Sequence, residues 1–329
     1  MTQDSVRHYQ TKKEALFNEV KGSLFEYLIA RRLSQMSGEE PAFLESLDKN
    51  YLNVLSQQDR MVRQFYPEML TFLAEVSEAS ALELVRYLGE TPRAAQLIGK
   101  FAEINEADLM LASSSGPVPL SLKLNKKNAF VNTKSGGIKS FFESYFSFIP
   151  GPVQKEFNAF VDQEFTRMSF ELHELNDLEY SGNYGLWVKS GKSELPGELA
   201  PEERQILKSF YARVATRIHS ILTEAQLKNP KLFSQSLPPL MGFSSPQILQ
   251  LVCFHDFKAH GVCSVMIHCF ADVEKWLYQV RLQPFGQTSS VEIGIGEWTL
   301  QIRVKPMNKF TTTAIKMNCS VKFKQTDES

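Results

Sequence analysis

Cysteine is scarce, with four residues (Cys253, Cys263, Cys269 and Cys319) in a chain of 329. That is too few to staple a fold of this length, which points away from a disulfide scaffold and toward a reducing compartment, the cytoplasm. No apolar run approaches the roughly 20 residues needed to span a bilayer, so no membrane partner is expected. The opening "MTQDSVRHYQTKKEALF" lacks the apolar core of a secretory leader. Neither sign of charge is in excess: 36 Lys and Arg against 37 Asp and Glu leave a net charge of −1. The total therefore says nothing for or against a nucleic-acid partner, and only the local distribution can. Phosphate-loop and dinucleotide signatures are missing too, which leaves ATP-dependent phosphoryl transfer and NAD chemistry without support.

What is present is an ordinary globular composition, 43% hydrophobic and 22% charged, enough for one large or two modest domains. Apolar residues at helical spacing (Leu16, Val20, Leu24, Leu28, Ile29) predict a helix over 5–36. A second is expected over 51–77, broken at Pro67, with shorter ones at 79–88 and 92–103. The texture then turns extended: "ADLMLA" and "VPLSLKL" are short apolar strands around a Ser-Ser-Ser-Gly-Pro turn, and "AFVNTKSGG" is a third extended piece. Ser135 is placed to N-cap the helix "IKSFFESYFSF", and "VQKEFNAFVDQEF" resumes as helix after Pro150-Gly151-Pro152. Residues 176–200 read as an irregular connector, 201–228 as a well-patterned helix, and everything from about 250 as β-rich. The expected division is 1–175, a connector over 176–200, and 201–329.

Four residues stand out chemically. Glu26 is the only charge in "GSLFEYLIA" and falls about 20° from Leu33 on a helical wheel, at the margin of an apolar face where an unpaired carboxylate is costly. Asp108 opens the first strand of the hairpin. Ser121 and Lys123, two apart on the second strand, share one face, while Leu120, Leu122 and Leu124 take the other. Asp108 and Lys123 can thus converge across the pair. A carboxylate there suits Mg²⁺, and a lysine beside it suits orientation of a water and stabilisation of charge on a phosphate.

Glu26 on an early helix, then Asp108, then "SLK" on the next strand, then a helix, resembles the PD-(D/E)XK restriction-endonuclease-like superfamily over roughly residues 15–150. Ala107-Asp108 stands where that superfamily has Pro-Asp, and Ser121 stands where it has an acid. The resemblance implies an α/β fold: a restriction-endonuclease-like core (a mixed sheet flanked by helices) with a helical N-terminal part and a β-rich C-terminal region. It further implies a Mg²⁺-dependent endonuclease of the type II restriction kind acting on double-stranded DNA, a homodimer, and a cognate DNA methyltransferase as a possible partner. Members with Ser-x-Lys draw the missing carboxylate from the following helix, which here nominates Glu143, 20 residues beyond Lys123. Glu106, two before Asp108, is a second candidate if the strand begins that early. The expected metal ligands are therefore Asp108 with Glu143 or Glu106, with Glu26 as an accessory acid.

The basic residues are unevenly spread. Lys123, Lys126, Lys127, Lys134 and Lys139 occur over 123–139 without an acid, and Arg303, Lys305, Lys309, Lys316, Lys322 and Lys324 over 303–324, again without one. Lys126, Lys127, Lys134 and Lys139 are expected to contact phosphates. The amides around Ser135, Gly136 and Gly137 are expected to form an anion site at a helix start. Arg303, Lys305 and Lys309 belong to a β-ribbon whose Gln301, Asn308 and Asn318 can read base edges. The Cys/His cluster from Cys253 to Cys269 does not match a zinc spacing, and His173 and His219 read as helix-surface residues. The main alternative is a non-catalytic DNA-binding protein on a decayed nuclease fold, and a third is an interaction subunit of a defence or repair assembly.

Overall fold

The computed structural model describes residues 3–97, 106–256, 261–286, 288–306 and 309–323. In chain order the first elements are helices α1 (Gln3–Met36), α2 (Glu40–Ser46), α3 (Lys49–Phe65) and α4 (Glu68–Leu88) and strands β1 (Ala94–Leu97), β2 (Leu109–Ser113), β3 (Gly116–Lys126) and β4 (Val131–Gly137). Helices α5 (Phe141–Tyr145), α6 (Gly151–Leu175), α7 (Gly185–Lys189), α8 (Pro201–Lys228) and α9 (Pro230–Gln235) follow. Strands β5 (Leu249–Asp256) and β6 (Gly261–His268), helix α10 (Phe270–Glu274), and strands β7 (Val280–Leu282), β8 (Ser290–Ile295), β9 (Trp298–Pro306) and β10 (Ile315–Lys322) complete the chain. The protein is thus mixed α/β, with a helical N-terminal part. No helix among the described residues is long and apolar enough to cross a membrane.

The chain divides into two compact units, Met1–Val131 with Gly242–Glu274, and Asn132–Met241 with Lys275–Ser329. This is not the expected division at 176–200. That stretch lies wholly inside the second unit, where it supplies the buried Trp187. Composition marks loops, but the boundary follows from which strands pair, and β3 of the first unit pairs with β5 across the whole intervening segment.

The first unit is built on a five-stranded sheet, β1-β2-β3-β5-β6. Its β1–β2, β2–β3 and β5–β6 pairs are antiparallel and β3–β5 is parallel. Helices α1 and α4 pack against each other and cover one face. Leu24, Phe25, Ile29 and Leu33 of α1 and Phe72, Leu73, Val76 and Leu84 of α4 bury against Leu109, Leu111, Leu120, Leu122, Leu251 and Cys253 of the sheet. Asp48 caps α3 by accepting from the Asn50 and Tyr51 amides, and Gly89 ends α4 with φ +72°. Pro67 separates α3 from α4, as its missing amide requires, and α4 then runs unbroken through 79–88. Residues 94–97, expected as helix, form a strand because they pair along β2, residues 92 and 93 before them are not helical, and 98–103 of that expected helix lie outside the described residues.

Two prolines in β3 show how the sheet is assembled. Asp108 donates its backbone N–H to the Leu120 carbonyl at 2.8 Å, so the even-numbered residues of β3 turn their backbone groups toward β2. Pro117 and Pro119 therefore lack an N–H on the other side, where β5 begins pairing only at Leu120↔Leu249. The hairpin turn closes at Ser113↔Gly116, and Gly116 takes φ +115°, which suits only glycine.

The second unit holds the sheet β4-β10-β9-β8-β7. Leu207, Phe210, Val214, Ile218 and Ile221 form the buried stripe of α8, which packs on α6, β8 and β9. Phe142, Phe146, Phe157 and Phe233 interlock edge to face or tilted. His173, read as a surface residue, is fully buried among Tyr180, Tyr184 and Trp187, with Nδ1 donating to the Ser169 carbonyl. An amide-like hydrogen bond to the preceding helical turn lets an imidazole occupy a position that the sequence marks as polar.

Leu251 has no exposed surface at the centre of the first sheet. Leu251→Ala is expected to lower the unfolding free energy by about 2–5 kcal/mol in urea titrations. A loss below about 0.5 kcal/mol, the level of surface substitutions, would contradict this account of the core.

Candidate active site

The site lies in the first unit, where β2 leaves the sheet. The β2–β3 ladder ends at Leu109↔Leu120, so the next inward-facing amide of β3, that of Leu122, has no strand partner on that side. The Asp108 carboxylate takes its place: Oδ2 accepts from the Leu122 N–H at 2.6 Å. The same oxygen lies 3.4 Å from Ser121 Oγ and 3.4 Å from Lys123 Nζ. Ser121 is 2% exposed, whereas the Asp108 and Lys123 side chains keep about a quarter of their surface, 25% and 26%. A buried hydroxyl and a half-open ion pair thus share one carboxylate oxygen.

Glu26 approaches from α1. Its neighbours Leu24, Phe25, Ile29 and Ala30 are buried, which turns the helix so that Glu26 sits at the edge of the covered face. Burial pushes its carboxyl up to about 7, the negative charge of Asp108 adds to the rise, and Lys123 opposes it. Glu26, Asp108 and Lys123 therefore sense one another, although they come from three elements. Two carboxylates that repel each other beside a lysine form a donor set that a divalent cation would relieve. Mg²⁺ is commonly held by one or two carboxylates with water and phosphate oxygens completing its shell, and Asp108 with Glu26 fit that demand. Among the described residues there is no group of three or more His, Cys, Asp or Glu that could hold a metal by protein ligands alone.

The two expected second carboxylates lie on other elements. Glu143 lies on the exposed side of α5 in the second unit. Glu106 precedes the strand rather than belonging to it, because β2 begins at Leu109, and its carboxylate accepts from the Ser244 amide at 2.9 Å. The alternation that would have aligned it with Asp108 does not apply in a turn.

The basic residues are also redistributed. Lys123, Lys126 and Lys127 belong to the first unit, and Lys134 and Lys139 to the second. Ser135, Gly136 and Gly137 lie in β4, not at a helix start, and Ser135 Oγ donates to Asn318 Oδ1 at 2.9 Å. The expected anion site at a helix N-terminus is therefore absent there. Lys139 is paired with Asp162 and Lys309 with Glu194, which removes both from the set of unengaged cations. Gln301 is buried between Glu292 and Arg303, to which it is hydrogen-bonded, so it is occupied within the sheet. Arg303 and Lys305 are exposed on β9. Asn308, His260 and Lys324 lie outside the described residues.

One feature of the site escaped the sequence altogether. In register with Ser121 stand Gln250 on β5 and, beyond it, His268 on β6. Both are almost wholly buried, so a polar row crosses three strands beside the Asp108 carboxylate. Only strand register reveals it, since Ser121 and Gln250 are far apart in the chain.

Comparison with known proteins gave no matching family model and no significant match among curated proteins or solved structures.

The raised Glu26 carboxyl has a consequence for stability. Between its ordinary value of 4.5 and about 7 the folded protein holds a proton that the unfolded chain has released, so stability falls as pH rises through that window. Glu26→Gln is expected to flatten this slope and to make the metal-free protein more stable than wild type at pH 8, by roughly 1–3 kcal/mol, with little difference at pH 4. Denaturant unfolding at a series of pH values reads it, and an unchanged slope in the variant would refute the assignment.

Proposed function

We propose that this protein is a Mg²⁺-dependent nuclease that hydrolyses phosphodiester bonds of double-stranded DNA, a restriction-type endonuclease with a restriction-endonuclease-like core in its first unit. The observation that carries the reading is the convergence of Glu26, Asp108 and Lys123 at the point where β2 leaves the sheet. The arrangement of elements supports it as well: a helix bearing an isolated acid, an antiparallel hairpin bearing Asp108 and Lys123, and a parallel strand beside the hairpin.

In this reading Asp108 and Glu26 are the residues that would hold Mg²⁺, and the ion would neutralise the phosphate oxygens and lower the pKa of the attacking water. The side chains of the protein do the rest. Lys123 Nζ, within reach of the Asp108 oxygen, orients the water and donates to the phosphate oxygen on which charge builds. Ser121 Oγ and the Leu122 amide hold the Asp108 carboxylate in one orientation. The water oxygen forms the new bond to phosphorus and gives its proton to solvent, while the bond to the leaving sugar oxygen breaks and that oxygen takes a proton from solvent to become a hydroxyl. The neutral Ser121 in place of an acid leaves the site with one negative charge fewer, which eases the approach of a phosphate. A restriction enzyme of this kind works in the cytoplasm, as a homodimer on two-fold-symmetric sites, with a methyltransferase protecting the host DNA.

Unmethylated phage DNA incubated with the purified protein tests this. Discrete fragments are expected with Mg²⁺ and none with EDTA, and Lys123→Ala or Asp108→Asn should each lower the rate by about 10²–10³-fold. Absence of cleavage with Mg²⁺ by a folded wild-type protein would overturn the catalytic reading. Salt-sensitive DNA binding that survives or strengthens in Asp108→Asn would then favour the non-catalytic DNA-binding alternative.

A further inference from the structure

Beyond Lys123, strand β3 ends at Lys126, which stands opposite His255 in the parallel register with β5. Lys21 reaches the same place from α1. Burial holds the Lys21 ammonium below its ordinary value, and the positive charge of Lys126 adds to this. His255, 1% exposed, is pushed down to about 4, first by burial and then by Lys21 and Lys126, with Asp256 a smaller opposing influence. Three basic side chains from three elements therefore share one end of the sheet. The backbone there is pinned, since the Lys127 N–H donates to the His255 carbonyl at 2.9 Å, and Phe72 meets the imidazole edge-on at 4.8 Å between centroids.

Among the described residues neither lysine forms an ion pair or side-chain hydrogen bond with an acid, and neither ring nitrogen of His255 has a hydrogen-bond partner. Bringing two like charges together over a buried imidazole, with one of them half-buried, opposes folding. A negative ligand would remove that cost. Lys21 precedes Glu26 by five residues of helix, about 7.5 Å, and Lys126 follows Lys123 by three residues of strand, about 10 Å. The odd number of residues turns Lys126 to the face of β3 opposite that of Lys123, the face that α1 covers and from which Lys21 comes. The basic end is therefore near enough to the Asp108–Lys123 pair for a second phosphate of a polynucleotide held there.

We propose that Lys21 and Lys126, over the buried His255, form a phosphate-binding subsite that holds a backbone phosphate near the one cleaved. The identity of the ligand as a polynucleotide rests on the nuclease reading, whereas the affinity for phosphate rests on the basic cluster itself.

The test uses Lys21→Met and Lys126→Met, each in the Asp108→Asn background without metal, so that cleavage plays no part. Lys49→Met, on the exposed face of α3, is the control. Duplex oligonucleotide binding is titrated over a range of salt, and thermal unfolding is followed in phosphate-free buffer, with inorganic phosphate added in a separate arm. Expected for both subsite variants are an affinity loss of about tenfold at low salt and a log K against log[salt] slope shallower by about 1. A melting temperature equal to or above that of the parent protein is expected as well, because a like-charge contact has been removed. Unchanged affinity and slope would overturn the subsite. So would a loss of affinity matched by Lys49→Met, or one accompanied by a lowered melting temperature in both variants, which would mark a structural role. Inorganic phosphate that stabilises the parent protein as fully as the duplex does, with duplex affinity indifferent to Lys21, would identify free phosphate as the ligand and overturn the polynucleotide assignment. Failure of the nuclease reading is separate: no cleavage by wild type, together with the Lys21-dependent salt slope, leaves the subsite standing.

Discussion

A single unsatisfied amide organises the candidate site. When β2 ends at Leu109, the Leu122 N–H on β3 loses the strand partner that its neighbours have, and the Asp108 carboxylate accepts from it at 2.6 Å. A polar backbone group at a partly buried sheet edge must be paired, so the carboxylate has a structural reason to lie where it does. That position sets the rest. The oxygen bound to the Leu122 amide is the one that Ser121 and Lys123 reach, and its charge is the one felt by Glu26 on α1. A carboxylate that caps a strand ladder is held in one orientation by that hydrogen bond.

The same sheet keeps its opposite charges apart. Helix α1 carries Lys21 and Glu26 about one and a half turns apart, and β3 carries Lys126 and Lys123. The acidic side chain feels the charges of Asp108 and Lys123, and the half-buried lysine feels that of Lys126 and acts on His255. The helix is fixed by Leu24, Phe25, Ile29 and Leu33, which have almost no exposed surface. Apolar packing thus determines where unfavourable electrostatic pairs occur, and it supplies the stability that lets the fold tolerate them.

The second unit is stabilised in a different manner. Its centre is aromatic, with Phe142, Phe146, Phe157 and Phe233 in one group and Tyr184, Trp187 and Phe310 with His173 in another. Its basic residues are largely engaged within the unit, Lys139 by Asp162, Lys309 by Glu194 and Arg303 by Gln301. Lys126, at the end of β3, is the contrasting case in the first unit.

Much of the local structure was legible in the residues alone. The apolar spacing over 201–228 corresponds to α8, Pro67 separates two helices, and the apolar runs around Ser113–Gly116 form the β2–β3 hairpin. The meeting of Asp108, Ser121 and Lys123 was legible too, because a hairpin brings close neighbours in sequence across from each other. Local periodicity is sufficient for these, since each depends on contacts within a few residues. Ala94–Leu97 read as helix because nothing local reveals that β2 offers an open edge. Glu143 was nominated by the resemblance, as an acid on the helix after Ser-x-Lys, and the Ser135 turn as amides at a helix start, yet the chain passes into the second unit after Val131. The alignment of Ser121 with Gln250 and His268, and of Lys126 with His255, depends on β3 pairing with a strand that begins at residue 249. Sequence alone therefore determined the elements and the Asp108–Lys123 hairpin. Only the tertiary structure decided which distant polar groups join it, because long-range strand pairing is selected by the burial of whole faces and leaves no periodic trace in the chain.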